Sequence, residues 1–398
     1  MRFFRCFVVC FAVISMFSCV FASELTVGTD STGDVGFEIY SRRAIVFERN
    51  SKTVLFEKNM NEKCAMASTT KVMTCIVILE NCNLDDTVSV SVKAASTGGS
   101  RLGLHADDKI TVRDLLYGLM LCSGNDAAVA LAEYCGGSVE GFADLMNSKA
   151  AELSLGSTHF VTPHGLDNPD HYTTAGDFAL LCDYVLNNPL FVQFVGTKYC
   201  NVVINGSVKS IHNTNELLGV IPSVYGIKTG YTSQAGRCLI TAAKQDNLDI
   251  IVIVFGADTK AIRTNDSVKL INYVFDNYAA VSLKDLVDEK FQEYLNYVLP
   301  FVEIPKVSAR LSPVLEDDFP EFIPVKKELV GSIYVGLTEK DLVAPVFDND
   351  TIATIDVFLG NNKIFSTNIC SSSYINKKSA LEYFFTFVYD YKKFYMVP

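Results

Sequence analysis

Ser68-Thr69-Thr70-Lys71, followed far downstream by Ser123-Gly124-Asn125 and then by Lys228-Thr229-Gly230, decides how this chain is read. Ser68 and Lys71 are three residues apart, so on a helix they share one face and the amine comes within hydrogen-bond reach of the hydroxyl. The run through Val72, Met73, Cys75, Ile76 and Leu79 has helical spacing, which predicts that a helix starts at Ser68. Unpaired N–H groups and the positive end of the dipole then favour negative charge forming beside the hydroxyl.

A serine hydroxyl needs a base to take its proton. The five histidines are scattered and there is no Gly-x-Ser-x-Gly elbow, which leaves Lys71 as the base. For that role its pKa must fall, by burial or beside another cation, and Lys228 is the candidate cation. Each string alone has an ordinary explanation: a helix-capping serine with a surface lysine, an interhelical turn, a strand with a solvated lysine. A chain of this length holds roughly two Ser-x-x-Lys strings by chance. Only one occurs, as does only one Lys-Thr-Gly, and the order and wide spacing suit three segments meeting in one cleft.

Around this nucleus the chain divides. Arg2 and Arg5 precede an apolar run from Cys6 to Phe21 ending in Val20-Phe21-Ala22, which reads as a signal peptide over 1–22 and places the mature protein outside the cytoplasm. An uncleaved anchor and lipid attachment at Cys19 are the alternatives. The remaining roughly 375 residues are long for one core, so two domains are expected. With 34 basic against 45 acidic residues the chain has no nucleic-acid character. Three of the 12 cysteines lie in the leader; Cys75, Cys122, Cys135, Cys182 and Cys238 sit among apolar neighbours and read as buried free thiols. No zinc-ligand spacing occurs, so no metal and no cofactor is expected.

Alternating runs from Ala44 to Glu57 around Arg49-Asn50-Ser51-Lys52 predict a hairpin, and Asn205-Gly206 predicts another. Helices are expected over Val112–Cys122, Asp126–Tyr134, Glu140–Leu153 and, behind the Thr174/Asp177 cap pair, to Leu186. Strands around Gly226–Gly230, Cys238–Ala243 and Ile250–Phe255, then a helix from Ile262 to Tyr278, complete an α+β domain over 23–285. Prolines and short alternating runs, at Leu329–Val335, Leu342–Phe347, Thr351–Leu359 and Lys363–Ile369, predict a small all-β domain over 289–373. In the tail, 374–398, Leu381, Phe384, Phe385, Val388 and Tyr395 form an apolar helical stripe, either docked on the β domain or lying on the outer face of the membrane.

With these residues in view, the chain resembles the low-molecular-mass penicillin-binding proteins, which are serine D-alanyl-D-alanine carboxypeptidases. The likeness runs from Ala44 to Tyr278 and includes Leu121-Cys122-Ser123-Gly124-Asn125-Asp126-Ala127-Ala128, Thr162-Pro163-His164-Gly165-Leu166-Asp167, His212-Asn213-Thr214-Asn215 and Gly226-Ile227-Lys228-Thr229-Gly230-Tyr231-Thr232. The resemblance implies a β-lactamase/penicillin-binding-protein-like transpeptidase domain, an antiparallel sheet flanked by helices, followed by the small β domain. It further implies that Ser68 attacks the carbonyl between two D-alanines of a peptidoglycan stem peptide and is acylated in the same way by β-lactam antibiotics. The backbone N–H groups of Ser68 and Tyr231 would form the oxyanion hole, Ser123 would relay a proton, and Asn125 would hold the substrate amide and Lys71. Lys228, Thr229 and Gly230 would line the substrate strand, with Thr229 and Arg263 taking the terminal carboxylate. Tyr231 stands where some members have histidine, which bears on rate and drug sensitivity; Arg237 is a further charge close in sequence to the site. The rivals are a serine β-lactamase and a non-catalytic penicillin-binding sensor. Against the first, this chain lacks the Glu-x-x-Leu-Asn string on which such β-lactamases rely, the nearest match being Asp183-Tyr184-Val185-Leu186-Asn187; intact Ser68, Lys71, Asn125 and Lys228 speak against the second.

Overall fold

The structure is a computed structural model that describes residues 26–27, 36–299, 311–316, 318–377, 379–382, 384–385 and 387–388. The leader over 1–22 and Tyr395 of the tail stripe lie outside the described residues. In chain order the first elements are strands β1 (Thr26–Val27), β2 (Arg43–Glu48) and β3 (Thr53–Lys58), then a 3-10 turn, Ala67–Thr70, leading into helix α1 (Lys71–Asn81). Next come β4 (Thr87–Ser89), α2 (Val92–Ser96), β5 (Lys109–Thr111), α3 (Val112–Met120), α4 (Asn125–Gly136) and α5 (Val139–Glu152). Helices α6 (Ala175–Val185) and α7 (Pro189–Gly196) precede hairpin β6 (Tyr199–Ile204) and β7 (Ser207–His212). Strands β8 (Val224–Thr232), β9 (Gly236–Gln245) and β10 (Leu248–Ala257) lead to α8 (Lys260–Asn277), β11 (Tyr278–Ser282) and α9 (Leu283–Glu293). The C-terminal part adds β12 (Pro313–Leu315), β13 (Phe322–Lys326), β14 (Ile333–Glu339), β15 (Thr351–Leu359) and β16 (Asn362–Ser371).

One six-stranded sheet, in the order β1-β3-β2-β10-β9-β8, organises the first part, antiparallel except for the β1–β3 pair. Strand β10, Leu-Asp-Ile-Ile-Val-Ile-Val-Phe-Gly-Ala, is buried along its whole length because helices cover both faces of the sheet. Ile251, Ile253 and Phe255 point into the core formed with α1, α3, α4 and α6; Ile250, Val252 and Val254 point into the core formed with Leu270, Ile271 and Val274 of α8. Burying each of these apolar side chains stabilises the fold by about 1.5–3 kcal/mol. Strand β8 is left as an edge.

The predicted hairpins form: Glu48 pairs with Thr53 across Asn50-Ser51, and Asn205 and Gly206 both take positive φ, 50° and 78°, between β6 and β7. Thr174 caps α6 by accepting from the Asp177 N–H at 3.0 Å. The start of the first helix differs from expectation. Ser68 lies inside the 3-10 turn and the α-helix begins only at Lys71; Ala67, at φ +50°, and the Thr69 and Thr70 hydroxyls, which donate to the Met66 and Ala67 carbonyls, tighten the chain there.

In the C-terminal part the sheet order is β12-β16-β15-β14, and β13 pairs instead with β11. Two expected strands change. Leu329 to Ser332 lie in a 3-10 turn, and among the described residues Leu342–Phe347 makes one bridge, between Val346 and Ile375, since Pro345 has no N–H for a ladder. Leu283 and Val287 of α9 pack into this core with Ile352, Ile355 and Val357. The nine described cysteines are free; Cys75, Cys182 and Cys238 are buried as expected, whereas Cys122 and Cys135 are half-buried. Of the tail stripe, Leu381, Phe384 and Phe385 are exposed.

Candidate active site

The three strings converge. The 3-10 turn projects the Ser68 hydroxyl, and one turn on, the Lys71 Nζ donates to Ser68 Oγ at 2.9 Å. The same nitrogen donates to Asn125 Oδ1 at 2.7 Å and to the His164 carbonyl at 3.0 Å. Lys71 is wholly buried, and burial first, then the charge of Lys228, push its pKa well below the ordinary lysine range, against Cys122 and Asp126. Lys228, 1% exposed, is itself pushed down to about 8 by burial. A second cation confined to the same water-poor site thus loosens the hold of Lys71 on its proton.

The Ser123-Gly124-Asn125 bend joins α3 to α4. Ser123 takes φ +61°, a left-handed conformation that costs about 1 kcal/mol or more for a residue with a Cβ. Its Oγ is buried without a hydrogen-bond partner among the described residues, so the strained turn presents an unsatisfied hydroxyl beside Ser68 in the cleft. Asn125 is fixed at both ends of its amide, since Nδ2 donates to the Gly98 carbonyl at 2.7 Å. Next to it, the buried Asp126 carboxylate accepts from the backbone N–H groups of Leu102 at 2.8 Å, Gly103 at 2.7 Å and Leu104 at 3.0 Å. That carboxylate pins the loop carrying Ser100 against α4.

Edge strand β8 supplies the third side. An added Cβ on Gly230 would stand 3.2 Å from the Ser68 and Thr69 nitrogens, so glycine lets the strand lie directly on the nucleophile's turn. Thr229 Oγ1 is 2.9 Å from Thr214 Oγ1, and Lys228 Nζ donates to the Thr229 carbonyl at 3.2 Å. Tyr231 is 53% exposed, with the Arg237 guanidinium stacked 3.6 Å from its ring centroid. Ser68, Ser100, Ser123, Thr229, Tyr231 and Arg263 are among the residues lining a cleft of about 550 Å³. Arg263, in the first turn of α8, is buried, and its Nη2 donates to Glu216 Oε1 at 2.6 Å.

Several residues that hold this site had no role in the sequence reading. Thr162-Pro163-His164-Gly165 runs beside α1: the Pro163 carbonyl accepts from Thr74 Oγ1 at 2.7 Å, and Gly165, at φ +82°, touches the turn so closely that a Cβ would fall 1.9 Å from the Ala67 oxygen. His171 accepts from the Val161 N–H on Nδ1 at 2.9 Å, which leaves Nε2 to donate to Thr70 Oγ1 at 2.8 Å. Burial holds its pKa down to about 4, so it braces the turn as a neutral ring. Pro163, His164 and Gly165 stood in the Thr162-to-Asp167 string noted for resemblance, whereas His171 lay outside every such string; its contact with Thr70 spans about a hundred residues. Asp183 pairs with Arg49 and Lys52, on a part of the fold apart from the cleft lining.

Comparison with known proteins identifies the family. The D-alanyl-D-alanine carboxypeptidase family profile matches residues 28–259. The chain is 39% identical over 244 residues to D-alanyl-D-alanine carboxypeptidase DacF of Bacillus subtilis, a match covering 60% of this chain and 63% of that protein. It is 31% identical over 340 residues to D-alanyl-D-alanine carboxypeptidase DacA of Escherichia coli, covering 82% of this chain and 81% of that one. Among solved structures, penicillin binding protein 5 from Haemophilus influenzae is similar with a TM-score of 0.70 and 26% identity, over 86% of this chain and 99% of that one. The fold is thus that of the penicillin-binding DD-peptidases, an α+β transpeptidase domain with a small β domain. The chain belongs to the D-alanyl-D-alanine carboxypeptidase family of serine peptidases.

Proposed function

We propose that this protein removes the terminal D-alanine from peptidoglycan stem pentapeptides through an acyl-enzyme on Ser68, and that penicillins acylate the same oxygen. The observation that carries the reading is the 2.9 Å contact between Ser68 Oγ and a buried Lys71 amine whose protonated form is disfavoured. As Ser68 Oγ attacks the carbonyl between the two D-alanines, its proton passes to Lys71 Nζ. The N–H groups of Ser68 and Tyr231 take the oxyanion. Ser123 Oγ, without a partner among the described residues, relays the proton from Lys71 to the departing D-alanine nitrogen; water then attacks the ester, giving its proton to Lys71, which returns it to Ser68 Oγ as the shortened peptide acid leaves. Asn125 Oδ1 holds the amine, and the second Nδ2 hydrogen, beyond the bond to Gly98, is left for the substrate amide. Thr229 and Arg263 receive the terminal carboxylate.

A β-lactamase reading needs a base for fast deacylation. The carboxylate among the cleft-lining residues is Glu216, which is engaged by Lys260 and Arg263. Steady-state release of D-alanine from diacetyl-lysyl-D-alanyl-D-alanine, with a slow penicillin adduct, is expected; rapid penicillin loss would indicate a β-lactamase, and neither reaction would indicate a binding protein.

We place the enzyme outside the cytoplasm, with a catalytic domain over 23–285, a β domain over 289–373 and the tail from 374 resting on the outer face of the membrane. Exposed Leu381, Phe384, Phe385 and Phe387 support the last point, and no single described helix is long and apolar enough to cross a membrane.

A further inference from the structure

Glu216 stands in the cleft beside the residues assigned to the substrate carboxylate. Its Oε1 accepts from Arg263 Nη2 at 2.6 Å and from the Thr264 hydroxyl, and its Oε2 lies 2.9 Å from Lys260 Nζ. Both partners sit on firm supports. Arg263 and Lys260 belong to the first turn of α8, capped by Thr259 Oγ1, which accepts from the Ile262 N–H at 3.1 Å. Glu216 lies within the second of two successive side-chain turns: Asn213 Oδ1 accepts from the Asn215 N–H at 2.9 Å, and Asn215 Oδ1 from the Leu217 N–H at 3.1 Å. Those turns run from Thr214, bonded to Thr229, to the buried Leu217. Arg263 is 5% exposed and its buried Nε has no partner among the described residues, whereas Glu216 is 28% exposed. A charged guanidinium thus faces the cleft with its strongest bond made to a carboxylate of the chain itself.

We propose that Glu216 is a built-in competitor for the ligand carboxylate: it occupies Arg263 and Lys260 in the free enzyme, and an acid-terminated ligand must take over part of that pairing to seat. The inference rests on the carboxypeptidase reading above. Its consequence is selective. Ligands ending in a carboxylate bind against the Glu216 anion, and ligands without one do not, so Glu216 governs binding of acid-terminated substrates and leaves the acyl-transfer steps at Ser68 untouched. Although burial raises the Glu216 pKa, the bonds from Thr264, Lys260 and Arg263 outweigh it and hold the group below the ordinary carboxyl range, which keeps the competitor ionised at neutral pH. Losing it takes the carboxylate from Lys260 and Arg263, with Arg237 a further positive charge in the cleft lining.

The test compares wild type with Glu216→Gln, which keeps the shape and removes the charge, and with Glu216→Ala. D-alanine release from diacetyl-lysyl-D-alanyl-D-alanine is measured beside D-alaninamide release from its C-terminal amide, at low and high salt, together with labelled-penicillin acylation. At low salt both variants should lower KM for the acid by about 3- to 10-fold with kcat within about twofold, leave KM for the amide unchanged, and lose most of the gain in high salt. A higher KM for the acid in either variant would mean that Glu216 positions Arg263 and would overturn the proposal. Equal changes for acid and amide would do the same, as the mark of a merely structural role. If turnover and penicillin labelling persist with KM unmoved, only this inference fails; if wild type shows neither, the carboxypeptidase reading fails with it.

Discussion

Replacing Gly165 with alanine should damage acylation more than the lost stability explains, because its backbone forms one wall of the turn that carries Ser68. Gly165 has φ +82°, and a Cβ there would fall 1.9 Å from the Ala67 oxygen and 2.5 Å from Thr70 Oγ1. Relief requires the turn to retreat by more than about 1 Å. A left-handed conformation costs an alanine about 1–2 kcal/mol, and overpacking adds about 1–3 kcal/mol. Gly206, at φ +78° in the β6–β7 hairpin with nothing within 4 Å of an added Cβ, isolates the first cost. Gly206→Ala should therefore lower Tm by about 2–6 °C and Gly165→Ala by about 5–15 °C. A displacement of about 1 Å at a reacting group costs on the order of 10²-fold, so the penicillin acylation rate of Gly165→Ala should fall by about that factor while Gly206→Ala acylates normally. Stopped-flow labelling with a fluorescent penicillin, well below either Tm, measures this. Wild-type acylation by Gly165→Ala, or equal Tm losses in the two variants, would refute the claim that the 162–165 segment sets the nucleophile's position.

Two further outcomes follow from the buried lysines. Lys71→Arg, which keeps the bulk and charge but cannot give up its proton near neutral pH, should slow acylation by about 10²- to 10⁴-fold, and an undiminished rate in the same labelling assay would remove Lys71 from the role of base. Lys228 should leave a mark on stability: its folded pKa is about 8 against 10.5 unfolded, so between those values the unfolded chain holds a proton that the folded one has released. Stability attributable to Lys228 is then fully present above pH 10.5 and lost as pH falls through about 8. In urea unfolding, wild type should gain on Lys228→Met by up to about 1.4 kcal/mol per pH unit from pH 8 to 10, and a difference flat with pH would contradict the burial of that charge.

Local chemistry made much of this architecture legible. Asn205-Gly206 specified its hairpin through two positive φ values, Thr174 and Asp177 marked a helix start, and the Ser123-Gly124-Asn125 bend lies between helices within two residues of the predicted ends. Features set by contacts distant in sequence escaped. A helical apolar pattern cannot distinguish a 3-10 first turn from an α-helical one, and what tightens the Ser68 turn includes His171, about a hundred residues away. Leu342–Phe347 has the composition of a strand, yet Pro345 withholds a donor and the run finds a single bridge. Likewise β13 pairs with β11 across the intervening helix α9, which no local periodicity announces. At the site, the motif residues were visible as strings, whereas the Lys71 bond to a backbone carbonyl, the Asp126 clamp and the Glu216–Arg263 pair depend on atoms that sequence spacing does not bring together.

The most direct test of the account is intact-protein and peptide mass spectrometry after brief exposure to benzylpenicillin at neutral pH. The account predicts one penicilloyl group per molecule, on the peptide containing Ser68, and none on Ser68→Ala although that variant folds normally. Labelling elsewhere, or a full adduct on Ser68→Ala, would contradict it.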